Sequence, residues 1–289
     1  MTPREERFLV IENMRQALAE GNTFAKVELS DPVVTDEDRR RVILPFDLLR
    51  KNPINKVKAH IARKMAERLT REVNRDTELV GLENALGIKG GAFITASHYN
   101  PTDSTPVRMM VERCGRGKRH DIVVQETNIF MKGFFGFLMN NANTLPVSAL
   151  HEYMARRLTP ALEALIGRGD FILVYPEQEM WFNYKKPREL RDGVYHWAAK
   201  FGVPVIPTFT EMRNMDGECD GAGFLPVKHI LHIMPPIYPD PSLSLRENRI
   251  RMQELDCQLR RDKYEEVYGI SLDDEFIPER DIAGFVSDK

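Results

Sequence analysis

Six short apolar runs, each followed or preceded by a segment of helical spacing, constrain this chain more than any other feature. They are AFITAS, DIVVQET, NTLPV, FILVYP, VPVIPTF and HILHIM, and they begin at about Leu79, where the texture of the sequence changes. Runs of this length suit strands, and helical patterns fall between them at about 104–114, 129–140, 149–167 and 192–201. Strand–helix alternation predicts an α/β fold with a largely parallel central sheet flanked by helices. A last helix is expected from Ser244, where Ser244 and Glu247 have capping-box spacing, to about Gly269.

Residues 1–75 read differently, as an N-terminal helical segment, with residues 76–289 forming the α/β domain and its C-terminal helix. EERFLVIENMRQALAE has a helical pattern. In NKVKAHIARKMAERLTREV, Val57, Ile61, Met65 and Leu69 recur every four residues among Lys56, Lys58, Arg63, Lys64, Arg68 and Arg71. Such a stripe fits a surface helix packed on the core, or a basic helix lying on an anionic lipid surface.

Composition removes several classes. The formal net charge of -2 gives no bulk attraction to nucleic acid. Three cysteines, Cys114, Cys219 and Cys257, share no metal-ligand spacing and suit a reducing compartment. His229 and His232 lie three apart on an expected strand and so point to opposite faces, which argues against a metal site. No segment reaches the roughly 18 apolar residues of a spanning helix, and MTPREERFLV lacks the pattern of a signal peptide.

Chemistry is expected at the carboxyl ends of the strands. His98 directly follows AFITAS and Glu177 directly follows FILVYP, which places both on one edge of the sheet. In ITASHYNPTDSTP, Pro101 biases Asn100 away from helix, so HYNP is a turn and Asp103 falls at the start of the next helix. A turn there can bring the Asp103 carboxylate to one imidazole nitrogen of His98 and leave the other free as a general base. The competing reading is a loop histidine followed by a helix-capping aspartate. No GxSxG elbow supplies a protein nucleophile.

VGLENALGIKGGAFITASHYNPTDS resembles the opening of the glycerolipid acyltransferase family typified by 1-acylglycerol-3-phosphate acyltransferase, in which a strand leads into His-x-x-x-x-Asp. ILVYPEQEMW is similar to that family's Phe-Pro-Glu-Gly-Thr-Arg block. GVYHWAAKFGVPVIPTF is similar to its later block, through Gly193, Ala198, Pro204 and Pro207. The blocks occur in the family's order over Val80 to Phe209.

The resemblance implies His98 as general base and Asp103 as its orienting partner, with Glu177 binding or positioning the acceptor. It implies an acyl thioester of coenzyme A or acyl carrier protein as donor, a hydroxyl of a lysophospholipid-like, lipid-like acceptor, and no cofactor. A cytoplasmic protein is expected, with peripheral attachment to the inner face of the membrane through the N-terminal helices as one reading. The chain departs from the family where Met180 stands in place of the block's arginine, and where NTLPVSAL lacks the arginine that ends another block. Lys185, Lys186, Arg188 and Arg191, with Lys132, are the candidates for a displaced anion site, or else form a solvated loop. Phe130, Phe134, Phe135 and Phe137, and Trp181 with Phe182, are either core or the lining of an acyl channel. A non-phosphate acceptor, a thioester hydrolase and a catalytically silent lipid-binding protein are the alternatives.

Overall fold

The computed structural model describes residues 2–29, 32–46, 52–115 and 119–287. Two long helices precede the sheet, α1 (Pro3–Ala19) and α2 (Pro53–Val73), with a short helical segment over residues 36–43 between them. Each long helix has a proline in its first turn, where the missing N–H costs nothing. The strands and longer helices that follow are β1 (Glu78–Val80), β2 (Ala92–Thr95), α3 (Ser104–Arg113), β3 (His120–Gln125), α4 (Gly133–Asn141), β4 (Thr144–Val147), α5 (Thr159–Arg168), β5 (Phe171–Val174), α6 (Gly193–Phe201), β6 (Val205–Asn214), β7 (Val227–Ile233) and α7 (Leu245–Tyr268), with strands and helices alternating from β2 to β6.

One seven-stranded sheet results, in the order β1-β7-β6-β2-β5-β3-β4. Every pairing between these seven strands is parallel except β6 with β7. The fold is therefore α/β with a mostly parallel sheet, as the alternation predicts. All six expected strands are present. The short strand β1 was not expected, because three residues with an exposed–half-buried–exposed pattern carry no apolar run.

β2 and β5 are central and fully buried, which explains why both read as continuous apolar runs rather than alternating ones. Gly91 permits this placement: a Cβ there would lie 2.4 Å from the carbonyl oxygen of Ile166 at the end of α5. α7 begins at the expected capping box of Ser244 and Glu247 and ends at Gly269 in the left-handed region.

α1 is not a separate unit. Val10, Ile11 and Met14 pack with Trp181, Tyr184, Phe224, Ile282 and Phe285, joining the two ends of the chain in one cluster. The boundary at 75/76 falls between α2 and β1, but the α1 contacts cross it.

The expected stripe on α2 needs correction. Its buried residues are Ala62, Ala66 and Thr70, and the two alanines pack against Leu138 of α4 and Ala142 just after it, whereas Val57 and Ile61 are exposed. Two alanines one turn apart let the helices approach closely, and that contact turns the larger Val57 and Ile61 outward. Met65 and Leu69 flank the contact and are partly buried.

Candidate active site

β2 ends at Thr95, and the chain then leaves the sheet through Ala96 and Ser97 to His98. The turn at Asn100 is held by its own side chain, which accepts from Thr102 N at 2.8 Å and from the Thr102 hydroxyl at 2.9 Å. This Asx turn returns the chain so that Asp103 faces His98.

His98 Nδ1 lies 2.7 Å from Asp103 Oδ2. Asp103 does not cap α3; its side chain makes no bond to the helix start. The same Oδ2 instead accepts the backbone N–H of Tyr99 at 2.9 Å and of Asn100 at 3.4 Å, and Oδ1 accepts the Tyr175 hydroxyl at 2.6 Å. An ionised carboxylate only accepts, so the proton of a neutral His98 resides on Nδ1 and Nε2 carries the lone pair. The carboxylate is buried, while the imidazole retains partial exposure.

Tyr175 is the residue that sequence reading missed. Its ring stacks on the His98 ring with centroids 4.3 Å apart and an interplanar angle of 22°. Burial, then the neighbouring Asp103 charge, raises the phenol well above its ordinary range, so it stays a donor. The signal was present in YPE, where a tyrosine stands at the place of the resembling block's phenylalanine, but only the structure shows what its hydroxyl meets.

Glu177 lies beside the pair, as its position at the strand edge predicts, but its carboxylate is committed to protein. Oε2 accepts from His98 N at 3.3 Å and from Arg188 Nη2 at 3.1 Å, and Oε1 accepts from Arg188 N at 3.3 Å. Both side chains of the ion pair are buried. Glu177 therefore holds the dyad's backbone, rather than presenting an open carboxylate to an acceptor.

Three of the loop's four cations, Lys185, Lys186 and Arg188, are bonded to protein, whereas Arg191 is exposed. Arg188 also donates to Thr23 O and Glu179 O and lies over the Trp181 ring. Burial pulls its guanidinium down, opposed by Glu177. Lys185 donates to Arg280 O at 2.8 Å, and Lys186 to Asp274 O at 2.5 Å. Burial lowers both ammonium groups, with Asp281 opposing. These donors tie the loop to residues 272–281. Lys132 is exposed before α4, and Arg191 lies over the Phe24 ring.

The aromatic candidates separate. Trp181 is fully buried, with Nε1 donating to Ala25 O at 2.9 Å, and belongs to the cluster around α1, not to a channel. Phe182 packs on the same cluster, and Phe130 packs on the main core. Phe134 is exposed and meets Phe135 edge-on. Phe137 packs at the contact between α2 and α4. Phe135 alone of the candidates lines a small cavity of about 40 Å³, with Leu69, Leu138 and Met139, beside Pro101 and Ser104 of the dyad loop.

A larger cleft of about 810 Å³ lies between the 184–190 loop, α7 and residues 272–276, and no dyad residue lines it. His229 lies against the Tyr99 ring and His232 bonds Glu211, on opposite faces of β7 as their spacing predicts. Among the described residues no cluster of His, Cys, Asp or Glu has the arrangement of a metal site. No helix of the described residues is long and apolar enough to cross a membrane.

A search of curated proteins finds no match. Among solved structures the chain is similar to a crystal structure of the 1-acyl-sn-glycerophosphate (LPA) acyltransferase, PlsC, from Thermotoga maritima. The identity is 16%, the coverage 92% of this chain and 97% of that one, and the TM-score 0.48. The family model described as Acyltransferase matches residues 61–211, over half of the chain and the stretch that holds His98, Asp103, Tyr175 and Glu177. The chain belongs to the acyltransferase family.

Proposed function

We propose that this acyltransferase moves a fatty acyl chain from the thioester of coenzyme A or acyl carrier protein to a hydroxyl of a lipid-like acceptor. His98 is the general base. The observation that carries the reading is the 2.7 Å contact of His98 Nδ1 with Asp103, a carboxylate whose other contacts are all donors. It leaves the Nε2 lone pair turned away from Asp103, on an imidazole that retains partial exposure.

In the reaction Nε2 takes the acceptor's hydroxyl proton as the oxygen attacks the thioester carbonyl. The tetrahedral intermediate then expels the thiolate, and the imidazolium returns the proton to sulfur. An ester and a free thiol result, with no net proton change and no covalent enzyme intermediate. Asp103 stabilises the imidazolium that forms in between.

Two observations refine the substrate. Lys185, Lys186 and Arg188 give their donors to protein oxygens and carboxylates, and Met180 replaces the resembling block's arginine. Both favour an acceptor without a phosphate over lysophosphatidate. The exposed Ile54, Val57 and Ile61 of α2 are interleaved with Lys56 and Lys58, and exposed Met131 and Phe134 lie on and before α4, which packs on α2. This surface suits peripheral contact with anionic lipid at the cytoplasmic face.

The test supplies purified protein with labelled acyl thioesters and a panel of lysolipids with and without phosphate. Wild type forms acylated lipid, and His98→Ala and Asp103→Asn each lose on the order of 10²–10⁴ in kcat. Free fatty acid as sole product would establish hydrolysis instead. Full turnover by His98→Ala would overturn the mechanism.

A further inference from the structure

α7 lies outside the residues matched by the family model, yet it reaches the strand that delivers the dyad. Asp256 and Arg260, one helical turn apart and fully buried, form an ion pair with Nε 2.6 Å from Oδ1. Asp256 Oδ2 accepts the Thr95 hydroxyl at 2.5 Å and the Tyr195 hydroxyl at 2.8 Å. Arg260 Nη1 donates to Ser97 Oγ at 3.2 Å. The pair thus holds both side chains that β2 and its exit turn toward α7, Thr95 and Ser97, while His98 turns to the other face toward α3.

The peptide joining Ser97 and His98 is consequently fixed from two directions. The Ser97 hydroxyl is bound by Arg260, and the His98 N–H is bound by Glu177, itself paired with Arg188. Two buried ion pairs, Asp256–Arg260 and Glu177–Arg188, thus hold the residues on either side of one peptide unit. A buried ion pair is a costly way to gain stability, since apolar side chains of similar volume serve as well or better. What it does supply is direction. A displacement of about 1 Å at a reacting group can cost on the order of 10²-fold in rate, and Ser97 is where α7 takes hold of the segment that carries the His98 ring.

We infer that Arg260 is a positioning residue for His98, acting through the Ser97 hydroxyl, with Asp256 holding the guanidinium in place. The inference rests on the general-base reading of His98. It assigns the C-terminal helix a part in the reaction: α7 sets how the strand exit presents the imidazole to Tyr175 and Asp103.

The test combines turnover with a readout that needs no activity. In steady-state acyl transfer, Ser97→Ala is expected to lower kcat about tenfold with KM unchanged, because no substrate contact is removed. Ser97→Thr keeps the hydroxyl and retains most of the wild-type kcat. Arg260→Lys behaves as Ser97→Ala does, and the double variant is no worse than the worse single one. If Arg260→Lys fails to fold, the contrast between Ser97→Ala and Ser97→Thr decides the matter without it.

Wild-type kcat in Ser97→Ala, equal loss in Ser97→Ala and Ser97→Thr, or additive losses in the double variant would each overturn the inference. The Nδ1–H proton resonance of His98 must move in Ser97→Ala and stay in Ser97→Thr. That measurement judges the positioning role even if His98→Ala proves active and the general-base reading fails.

Discussion

The Tyr175 hydroxyl donates to Asp103 Oδ1 at 2.6 Å from a ring that stacks on His98. One side chain therefore touches both members of the dyad, fixing the carboxylate by a hydrogen bond and the imidazole by a face. Because Nδ1 and two backbone N–H groups already occupy Oδ2, the phenol is the side-chain donor that satisfies the other oxygen.

Tyr175→Phe separates these two functions, since it keeps the ring and deletes the hydroxyl. It leaves one oxygen of a buried carboxylate without that partner, so it is expected to destabilise the fold by about 1–3 kcal/mol. Turnover should fall several-fold but not vanish, because the Nδ1 contact remains. Urea unfolding and steady-state kinetics on the same preparation check both parts. Unchanged stability together with unchanged kcat would show that the hydroxyl contributes nothing.

Much of this architecture was legible in the sequence because its causes are local. Strand and helix positions follow from apolar runs and spacing, and the α7 boundaries follow from Ser244, Glu247 and Gly269. The His98–Asp103 contact follows from an Asn-Pro turn of fixed length. What was not legible depends on which atoms meet across the fold. Nothing in NYKKPRELRDG distinguishes a solvated cation from Arg188, which is buried against Glu177, Thr23 O and Trp181. Likewise the four-residue period on α2 is real, but which side of it faces the core is set by the partner helix α4 and its need for small side chains.

Gln178 has φ +65°, a left-handed conformation at the place where the resembling block carries glycine. A side chain there costs roughly 1–2 kcal/mol relative to an unstrained backbone. Its amide oxygen accepts only a 3.3 Å bond from Arg191 Nε in exposed surroundings. Gln178→Gly is therefore expected to raise the melting temperature or leave it unchanged, despite the greater freedom glycine has when unfolded. A clear drop in thermal denaturation would mean that the Arg191 contact outweighs the strain.

Exposed Val57 and Ile61 on a helix rich in lysine and arginine are the point at which the membrane-surface proposal can be tested. Removing residues 1–75 would not test it, since α1 shares a core cluster with Trp181 and Phe285 and its loss would damage the fold. Val57→Ser with Ile61→Ser alters the exposed face alone. Wild type should co-sediment with vesicles containing anionic lipid, and the double variant should bind several-fold more weakly at equal thermal stability. Equal binding by both proteins would exclude this face.

His120 opens β3 almost fully buried, and neither ring nitrogen has a hydrogen-bond partner among the described residues. Burial, followed by the nearby Arg108 charge, lowers its pKa well below the ordinary value of about 6.5. In the unfolded chain the imidazole titrates near that ordinary value, so below about pH 6.5 the unfolded state binds a proton that the folded state refuses. Stability therefore falls as pH drops through that window, and is unaffected by this group above it. His229 is lowered by burial in the same direction and adds to the effect. His120→Phe fills similar volume, cannot titrate, and removes two unsatisfied buried nitrogens. It should raise stability by about 1–3 kcal/mol, with a larger gain at pH 5.5 than at pH 8. Thermal denaturation of both proteins at the two pH values checks this, and an identical acid-induced drop in the variant would locate the acid sensitivity elsewhere.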